Sequence, residues 1–116
     1  MNDIEKEFIE FCVKGNLSEL KELYHENPDI NLSLEDVSLV IAHQANYRIL
    51  QTSAKRMGMS MDKMYVNIHK YGNTTAATIP IAMCEALEEG KFTKGDIIIL
   101  TAFGAGYTWA SAAIRW

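Results

Sequence analysis

The sequence has few cysteines, few prolines and no long apolar run. Its two cysteines, Cys12 and Cys84, stand far apart in the chain, which excludes a disulfide framework and a cysteine-based metal site. We expect both thiols to be reduced and buried. No apolar stretch approaches the roughly 20 residues that span a bilayer, and the acidic N-terminus lacks the features of a signal peptide. These absences predict a cytoplasmic protein with no membrane partner.

Basic residues are in the minority. The chain holds 11 Lys and Arg against 15 Asp and Glu, for a net charge of −4. Because an acidic chain repels a phosphate backbone, we expect no nucleic-acid partner. The length of 116 residues allows one domain or part of one. A hydrophobic fraction of 48% is near the average of globular proteins and argues against disorder.

Apolar residues recur at helical spacing over residues 4–14 and again over 17–25, and Pro28 ends the second run. This N-terminal helical hairpin weakly resembles an ankyrin-type unit. One such unit does not bury its own apolar face, so it needs further structure to pack against. We therefore predict two segments, a hairpin over residues 1–31 and a separate domain over residues 32–116.

Predicted strands and helices alternate over residues 32–116. The patterns predict strands at residues 37–42, 65–68, 97–101 and 107–115, helices at 46–57 and 76–89, and a tight bend at 103–106. This alternation is typical of an α/β domain in which a mixed sheet carries helices on both faces.

Three of the connecting segments contain polar or glycine residues that chemistry could use. His43 follows the strand predicted at 37–42, and α/β folds place ligands at such strand ends. Asn73 lies in a loop before the second helix, and Gly104 and Gly106 lie in the bend. Taken singly, each has a structural explanation: a hydrogen-bonded histidine, a turn or cap asparagine, and turn glycines.

In chain order, three motifs resemble the signature series of the β-ketoacyl-ACP synthase III family: His43-Gln44-Ala45-Asn46, Gly72-Asn73-Thr74-Thr75-Ala76-Ala77 and Phe103-Gly104-Ala105-Gly106-Tyr107-Thr108-Trp109. The resemblance covers residues 32–116 and implies the C-terminal half-domain of a thiolase-like fold. It also implies an acyltransferase of fatty-acid biosynthesis that condenses an acyl-CoA-derived acyl group with malonyl-ACP. No metal and no bound cofactor are expected for that reaction.

The resemblance implies a role for five residues. His43 and Asn73 match the family's catalytic histidine and asparagine, whose N–H groups stabilise the enolate oxygen formed when malonyl-ACP loses carbon dioxide. Ala105 matches a position whose backbone N–H helps to hold the thioester oxyanion. Phe103 matches a ring against the reactive cysteine, and Asn46 matches a residue that contacts the pantetheine arm.

Three basic residues, Arg48, Lys55 and Arg56, share one side of the helix predicted at 46–57. By spacing alone they form either a solvated helix face or a site for an acidic partner. The resemblance favours the second interpretation, because these residues match basic positions that dock the acidic acyl carrier protein (ACP).

The resemblance also implies a reactive cysteine in another lobe, at a helix N-terminus that lowers the thiol pKa. We expect the chain to begin too late to contain it. Cys12 and Cys84 are poor substitutes, since Cys84 falls in the middle of a predicted helix next to a carboxylate and Cys12 falls in the N-terminal hairpin. The chain is then inactive alone, and a cysteine-bearing lobe on another chain, or self-association, covers its exposed sheet. The alternatives are a non-catalytic interaction module, an autonomous enzyme using Cys12 or Cys84, and a truncated or split remnant.

Overall fold

A computed structural model describes residues 33–116 of the chain. The hairpin predicted for residues 1–31 lies outside the described residues, so the division of the chain at residue 32 stays a prediction. The elements are β1 (Val37–Ala42), α1 (Tyr47–Arg56), α2 (Ile68–Tyr71), α3 (Thr78–Glu88), β2 (Ile97–Gly104) and β3 (Thr108–Arg115), with 3-10 turns at Met61–Lys63 and Thr75–Ala77. None of the helices in this part of the chain is long and apolar enough to cross a membrane.

The three strands form one mixed sheet in the order β1-β2-β3. β1 and β2 are parallel, and β2 and β3 are antiparallel. The central strand begins with the isoleucine run Ile97–Ile99, all of it buried. A continuous apolar run of this kind is typical of a strand that is covered on both faces. The sequence alone therefore predicts this strand.

Each face of the sheet carries a helix and its own hydrophobic core. On one face, Leu50 and Ala54 of α1 pack with strand residues that include Val40 and Ile99. On the other face, the strand residues Leu39, Ile41 and Ile98 form the second core. They pack with Ala82 and Ala86 of α3 and with Phe92 of the loop that follows it. The predicted α/β architecture with helices on both faces is confirmed.

The strand predicted at residues 65–68 is wrong. The chain there makes a single isolated bridge, Val40 with Met64, and then turns into α2. The Tyr65 N–H still donates to the Val40 carbonyl of β1, but the Tyr65 carbonyl and the N–H groups of Asn67 and Ile68 are hydrogen bonded to the side chain of Gln44. A side chain distant in sequence therefore overrides the local strand preference.

The bend and one cysteine also differ from prediction. β2 continues through Phe103 and Gly104, which pair with Trp109 and Thr108, so the bend begins later than predicted, at Ala105. Cys84 is exposed, although we expected it to be buried. It stands midway between the buried Ala82 and Ala86 on α3, and a residue two positions from each points away from the core.

The short helix α2 is attached to α3 through one carboxylate, that of Glu85. It accepts hydrogen bonds from the Tyr71 hydroxyl at 2.7 Å, the Asn67 amide nitrogen at 2.8 Å and the Lys70 ammonium at 3.2 Å. These donors, Tyr71 foremost and then Asn67, lower the pKa of Glu85 from the ordinary 4.5 to about 2. α2 is too short to be stable alone, so this attachment fixes where it lies.

The core gives a first prediction. Ile98 is completely buried in the cluster under α3, and Ile98→Ala should lower the free energy of unfolding by about 2–5 kcal/mol because it leaves a cavity. Urea denaturation followed by tryptophan fluorescence measures the change. The control is Leu87→Ala on the same side of the sheet, where the side chain is 42% exposed. Equal unfolding midpoints for the two variants would contradict this core.

A second prediction concerns acid. Since the pKa of Glu85 is depressed in the folded state, its contribution to stability is complete above pH 4.5 and disappears as the pH falls towards 2. Stability should therefore fall more steeply across this window in the wild-type chain than in Glu85→Gln. Thermal unfolding at several pH values gives the comparison. Parallel curves for the two proteins would show that Glu85 is not held as an ionised acceptor.

Candidate functional site

His43 lies at the carboxyl end of β1, where its backbone continues the ladder with β2. Its N–H donates to the carbonyl of Thr101 at 2.8 Å. Because the strands are parallel, the next residues of β2 run beside the histidine, and the ring of Phe103 meets the imidazole edge-on at 5.6 Å between centroids. The structure thus brings His43 and Phe103 together.

The imidazole of His43 is half-buried. Loss of water around it disfavours the charged form and lowers the pKa of His43 below its ordinary 6.5. At neutral pH the ring is therefore uncharged and carries one N–H donor and one acceptor nitrogen. A neutral donor at a strand end is suited to stabilising an oxygen that becomes negative during a reaction.

Gln44 occupies a tight γ-turn directly after the histidine, in which the Ala45 N–H donates to the His43 carbonyl at 2.9 Å. The Gln44 side chain is almost completely buried, with 1% exposure. Its amide nitrogen donates to the carbonyls of Ala42 and Tyr65. Its amide oxygen accepts from the backbone where α2 begins. The Gln44 side chain therefore fixes the turn that carries His43 to residues 65–68.

Asn73 follows α2 and is exposed. Gly72 ends the helix with a φ of 67°, a value that suits glycine. The Asn73 side-chain oxygen then accepts a hydrogen bond from the Thr75 N–H at 2.9 Å. This bond orients the amide, because its NH2 group must point away from Thr75. With its oxygen engaged, the side chain has its NH2 group as the part that can donate to another partner.

Backbone strain is concentrated in the two loops that hold candidate residues. Among the described non-glycine residues, only Thr75 and Tyr107 have positive φ, at 52° and 56°. A β-branched threonine strongly disfavours this region. Strain of this kind persists where the surroundings impose it, and it is often found at functional sites.

The bend between β2 and β3 contains Ala105. Its carbonyl accepts a hydrogen bond from the Thr108 hydroxyl at 3.0 Å, which ties the bend to the start of β3. Ala105 is not among the residues with positive φ. An alanine can therefore occupy this position without the strain that a left-handed conformation would impose.

The helix α1 presents the remaining candidates. Asn46 caps its N-terminus, with its side-chain oxygen accepting from the Arg48 N–H at 2.8 Å. Arg48, Lys55 and Arg56 are all exposed. The last two lie in the final turn, where positive charge also complements the helix dipole. Across residues 33–116, no cluster of His, Cys, Asp or Glu is placed to hold a metal ion.

Local sequence patterns assign no role to Gln44, Asn67 or Glu85, although hydrogen bonds connect them in the structure. Gln44 and Asn67 are two of the few buried polar residues, and Asn67 donates to Glu85. The signal in the sequence is a large polar side chain, Gln44, two residues after a buried strand. Three of the four hydrogen bonds of Gln44 go to residues more than twenty positions along the chain, and no local pattern identifies them.

Similar proteins support a single family. The family model described as 3-oxoacyl-[acyl-carrier-protein] synthase III C terminal matches residues 29–116. The β-ketoacyl-[acyl-carrier-protein] synthase III of Roseiflexus castenholzii is 56% identical over 85 residues, which cover 73% of this chain and 26% of that protein. Synthase III 2 of Vibrio vulnificus is 46% identical over 115 residues, covering 99% of this chain and 31% of the relative.

Solved structures agree. The crystal structure of 3-oxoacyl-[acyl-carrier-protein] synthase III from Aquifex aeolicus matches with a TM-score of 0.80 and 41% identity, over 96% of this chain and 35% of that one. The Thermus thermophilus enzyme matches with a TM-score of 0.79 and 37% identity, over 100% of this chain and 35% of that one. The chain thus spans about a quarter to a third of the length of its relatives. It belongs to the 3-oxoacyl-[acyl-carrier-protein] synthase III family, whose C-terminal domain it contains, with the thiolase-like fold of that family.

Proposed function

We propose that residues 32–116 supply the decarboxylation half of a 3-oxoacyl-ACP synthase III site, with His43 and Asn73 as the catalytic donors. The observation that supports this most directly is the placement of a neutral imidazole at the carboxyl end of β1, against the Phe103 ring. The orientation of the Asn73 amide by Thr75 is a second support. The convergence of both donors on one oxygen is part of the proposal.

The chemistry asks little of these groups beyond hydrogen bonding. Malonyl-ACP loses carbon dioxide when the bond between C2 and the carboxylate breaks, and the electron pair moves into an enolate. The enolate oxygen takes the negative charge, and donors from His43 and Asn73 lower its energy. The enolate carbon then attacks an acyl thioester, a new carbon–carbon bond forms, and the thiolate leaves. No metal or bound cofactor enters these steps.

The acyl thioester requires a nucleophilic cysteine. We propose that this thiol belongs to a lobe other than residues 32–116, loaded from acyl-CoA. Cys84 does not fit the role, because it lies in the middle of α3 beside Glu85 rather than at a helix N-terminus. The backbone N–H of Ala105 serves as oxyanion donor for the attack, and Phe103 packs against the thiol. Asn46 contacts the pantetheine arm beside the start of α1.

ACP, a strongly acidic protein, is the proposed carrier of malonate. Its docking site is the exposed basic face of α1, formed by Arg48, Lys55 and Arg56. Opposite charges on two surfaces raise the rate of encounter and lose their effect as salt is added. The basic face follows directly on Asn46, so the same helix serves both the carrier protein and its pantetheine arm.

The third prediction tests the catalytic pair in a complete enzyme. The 116-residue chain replaces the segment it matches in the Vibrio vulnificus synthase III 2, which is 31% of that protein. His43→Ala and Asn73→Ala should each slow malonyl-ACP decarboxylation by roughly 10²–10³-fold, because each removes a preformed donor to the enolate oxygen. Release of carbon dioxide from labelled malonyl-ACP gives the rate.

The matched control for that experiment is His69→Ala, which removes an exposed histidine on α2. It should leave the rate within about twofold of the parent chimaera, as surface changes usually do. A parent chimaera that folds, accepts the acyl group on its cysteine and yet does not decarboxylate malonyl-ACP would overturn the proposed function. So would full activity in His43→Ala.

The fourth prediction concerns the carrier. Reversing the basic face in the chimaera, with Arg48→Glu, Lys55→Glu and Arg56→Glu combined, should raise the KM for malonyl-ACP roughly tenfold at low salt, since the steering charge is lost. The kcat should change little. Malonyl-CoA, which lacks the acidic protein, is the control substrate. Lys94→Glu, at an exposed lysine in the loop between α3 and β2, is the control charge reversal. An equal rise in KM for both substrates would exclude this face as the carrier site.

A further inference from the structure

Resting on the function proposed above, we propose that Gln44 is a positioning residue that couples the turn carrying His43 to the segment leading to Asn73, with Glu85 as its second anchor. Neither residue touches the reacting atoms in this scheme. Their contribution is to hold two separate loops in one arrangement through a continuous set of hydrogen bonds.

Gln44 uses the whole hydrogen-bonding capacity of its amide. The nitrogen donates to the Ala42 carbonyl at 2.9 Å and the Tyr65 carbonyl at 3.1 Å. The oxygen accepts from the N–H groups of Asn67 at 3.1 Å and Ile68 at 3.3 Å. A buried amide with four partners is costly to rotate, because any other orientation leaves buried polar groups without partners. The amide is therefore a rigid connection.

One end of that connection is the backbone on either side of His43. Ala42 and Gln44 flank the histidine, and the γ-turn begins at the His43 carbonyl, which accepts from the Ala45 N–H. The other end is the start of α2. The first N–H groups of any helix need an acceptor from outside the helix, and Asn67 does not cap α2 with its own side chain. The side-chain oxygen of Gln44, which is far from α2 in sequence, is that acceptor.

Because Asn67 does not cap α2, its side-chain amide can connect α2 to α3. It donates to Glu85 on α3, which also accepts from Tyr71 and Lys70 at the far end of α2. Both ends of the short helix are thus fixed, one to the His43 turn and one to α3. Gly72 and Asn73 follow at once, so the position of the Asn73 amide depends on where α2 is held.

This arrangement makes a specific demand. Two donors that stabilise one enolate oxygen must keep their separation to within a fraction of an ångström, since small misplacements cost up to about 10²-fold in rate. The acyl-transfer half of the reaction does not use these donors. Loss of the Gln44 connection should therefore slow decarboxylation and spare cysteine acylation, whereas general loosening of the fold would slow both.

The first arm of the test uses the complete 116-residue chain and needs no activity. In 15N-labelled protein, Gln44→Met keeps side-chain length and removes all four bonds. We expect the Asn73 side-chain NH2 signals and the His43 ring signals to shift together. Unchanged Asn73 signals in the folded variant would overturn the inference. Should Gln44→Met fail to fold, Glu85→Leu applies the same test from the α3 side, with Glu88→Gln as the matched exposed control.

The second arm uses the chimaera and separates positioning from structure. Gln44→Met should lower kcat for malonyl-ACP decarboxylation by roughly tenfold or more and leave the rate of cysteine acylation within about twofold. Glu85→Gln, which retains an acceptor for Tyr71 and Asn67, should recover most of the rate lost in Glu85→Leu. An equal loss in both steps would overturn the inference. An inactive parent chimaera would refute the proposed function instead, and the first arm would still decide whether Gln44 couples the two loops.

Discussion

The parallel pairing of β1 with β2 sets both the core and the position of His43. It buries two apolar strands between α1 and α3, and it ends with the His43 N–H bonded to the Thr101 carbonyl. Because the pairing sets the level of the two strands, it also decides that Phe103 lies beside the histidine. The same apolar burial that stabilises the fold thus places the imidazole in a partly dry environment, which lowers its pKa and keeps it neutral.

Polar groups are used sparingly within this core, and they gather around α2. Gln44, Asn67 and Glu85 satisfy one another and the adjacent backbone. Leaving any of these groups unpaired would cost about 1–3 kcal/mol, so the set defines one arrangement of the loops rather than several. Strain at Thr75 and Tyr107 lies just beyond, in the loops themselves. A rigid support beneath strained, exposed loops is the arrangement expected of a site that must not relax when its substrate arrives.

Much of the fold follows from the sequence because the signals are local. The apolar runs at 37–42 and 97–101 identify β1 and most of β2, and the helix predicted at 46–57 coincides with α1 and its Asn46 cap. The motifs around His43 and Asn73 also indicated the family that the comparisons show. The failures have distant causes. The strand expected at 65–68 ends after one bridge because Gln44 takes the hydrogen bonds of the Tyr65 carbonyl and of the next backbone N–H groups. β2 extends through Gly104 because β3 pairs with it. Exposure of Cys84 follows from which side of α3 meets the sheet, a fact that only packing decides.

In the proposed function, His43 and Asn73 act on one oxygen at the same moment. A double-mutant cycle of malonyl-ACP decarboxylation in the chimaera measures this directly, through the rates of His43→Ala, Asn73→Ala and the combined variant. Residues that act as a unit lose most of their effect when either one is removed. If the two residues share one oxygen, the double variant should be only slightly slower than the slower single variant. If instead the combined variant is slower by the product of the two single losses, the residues act independently. That result would contradict their shared action on one oxygen.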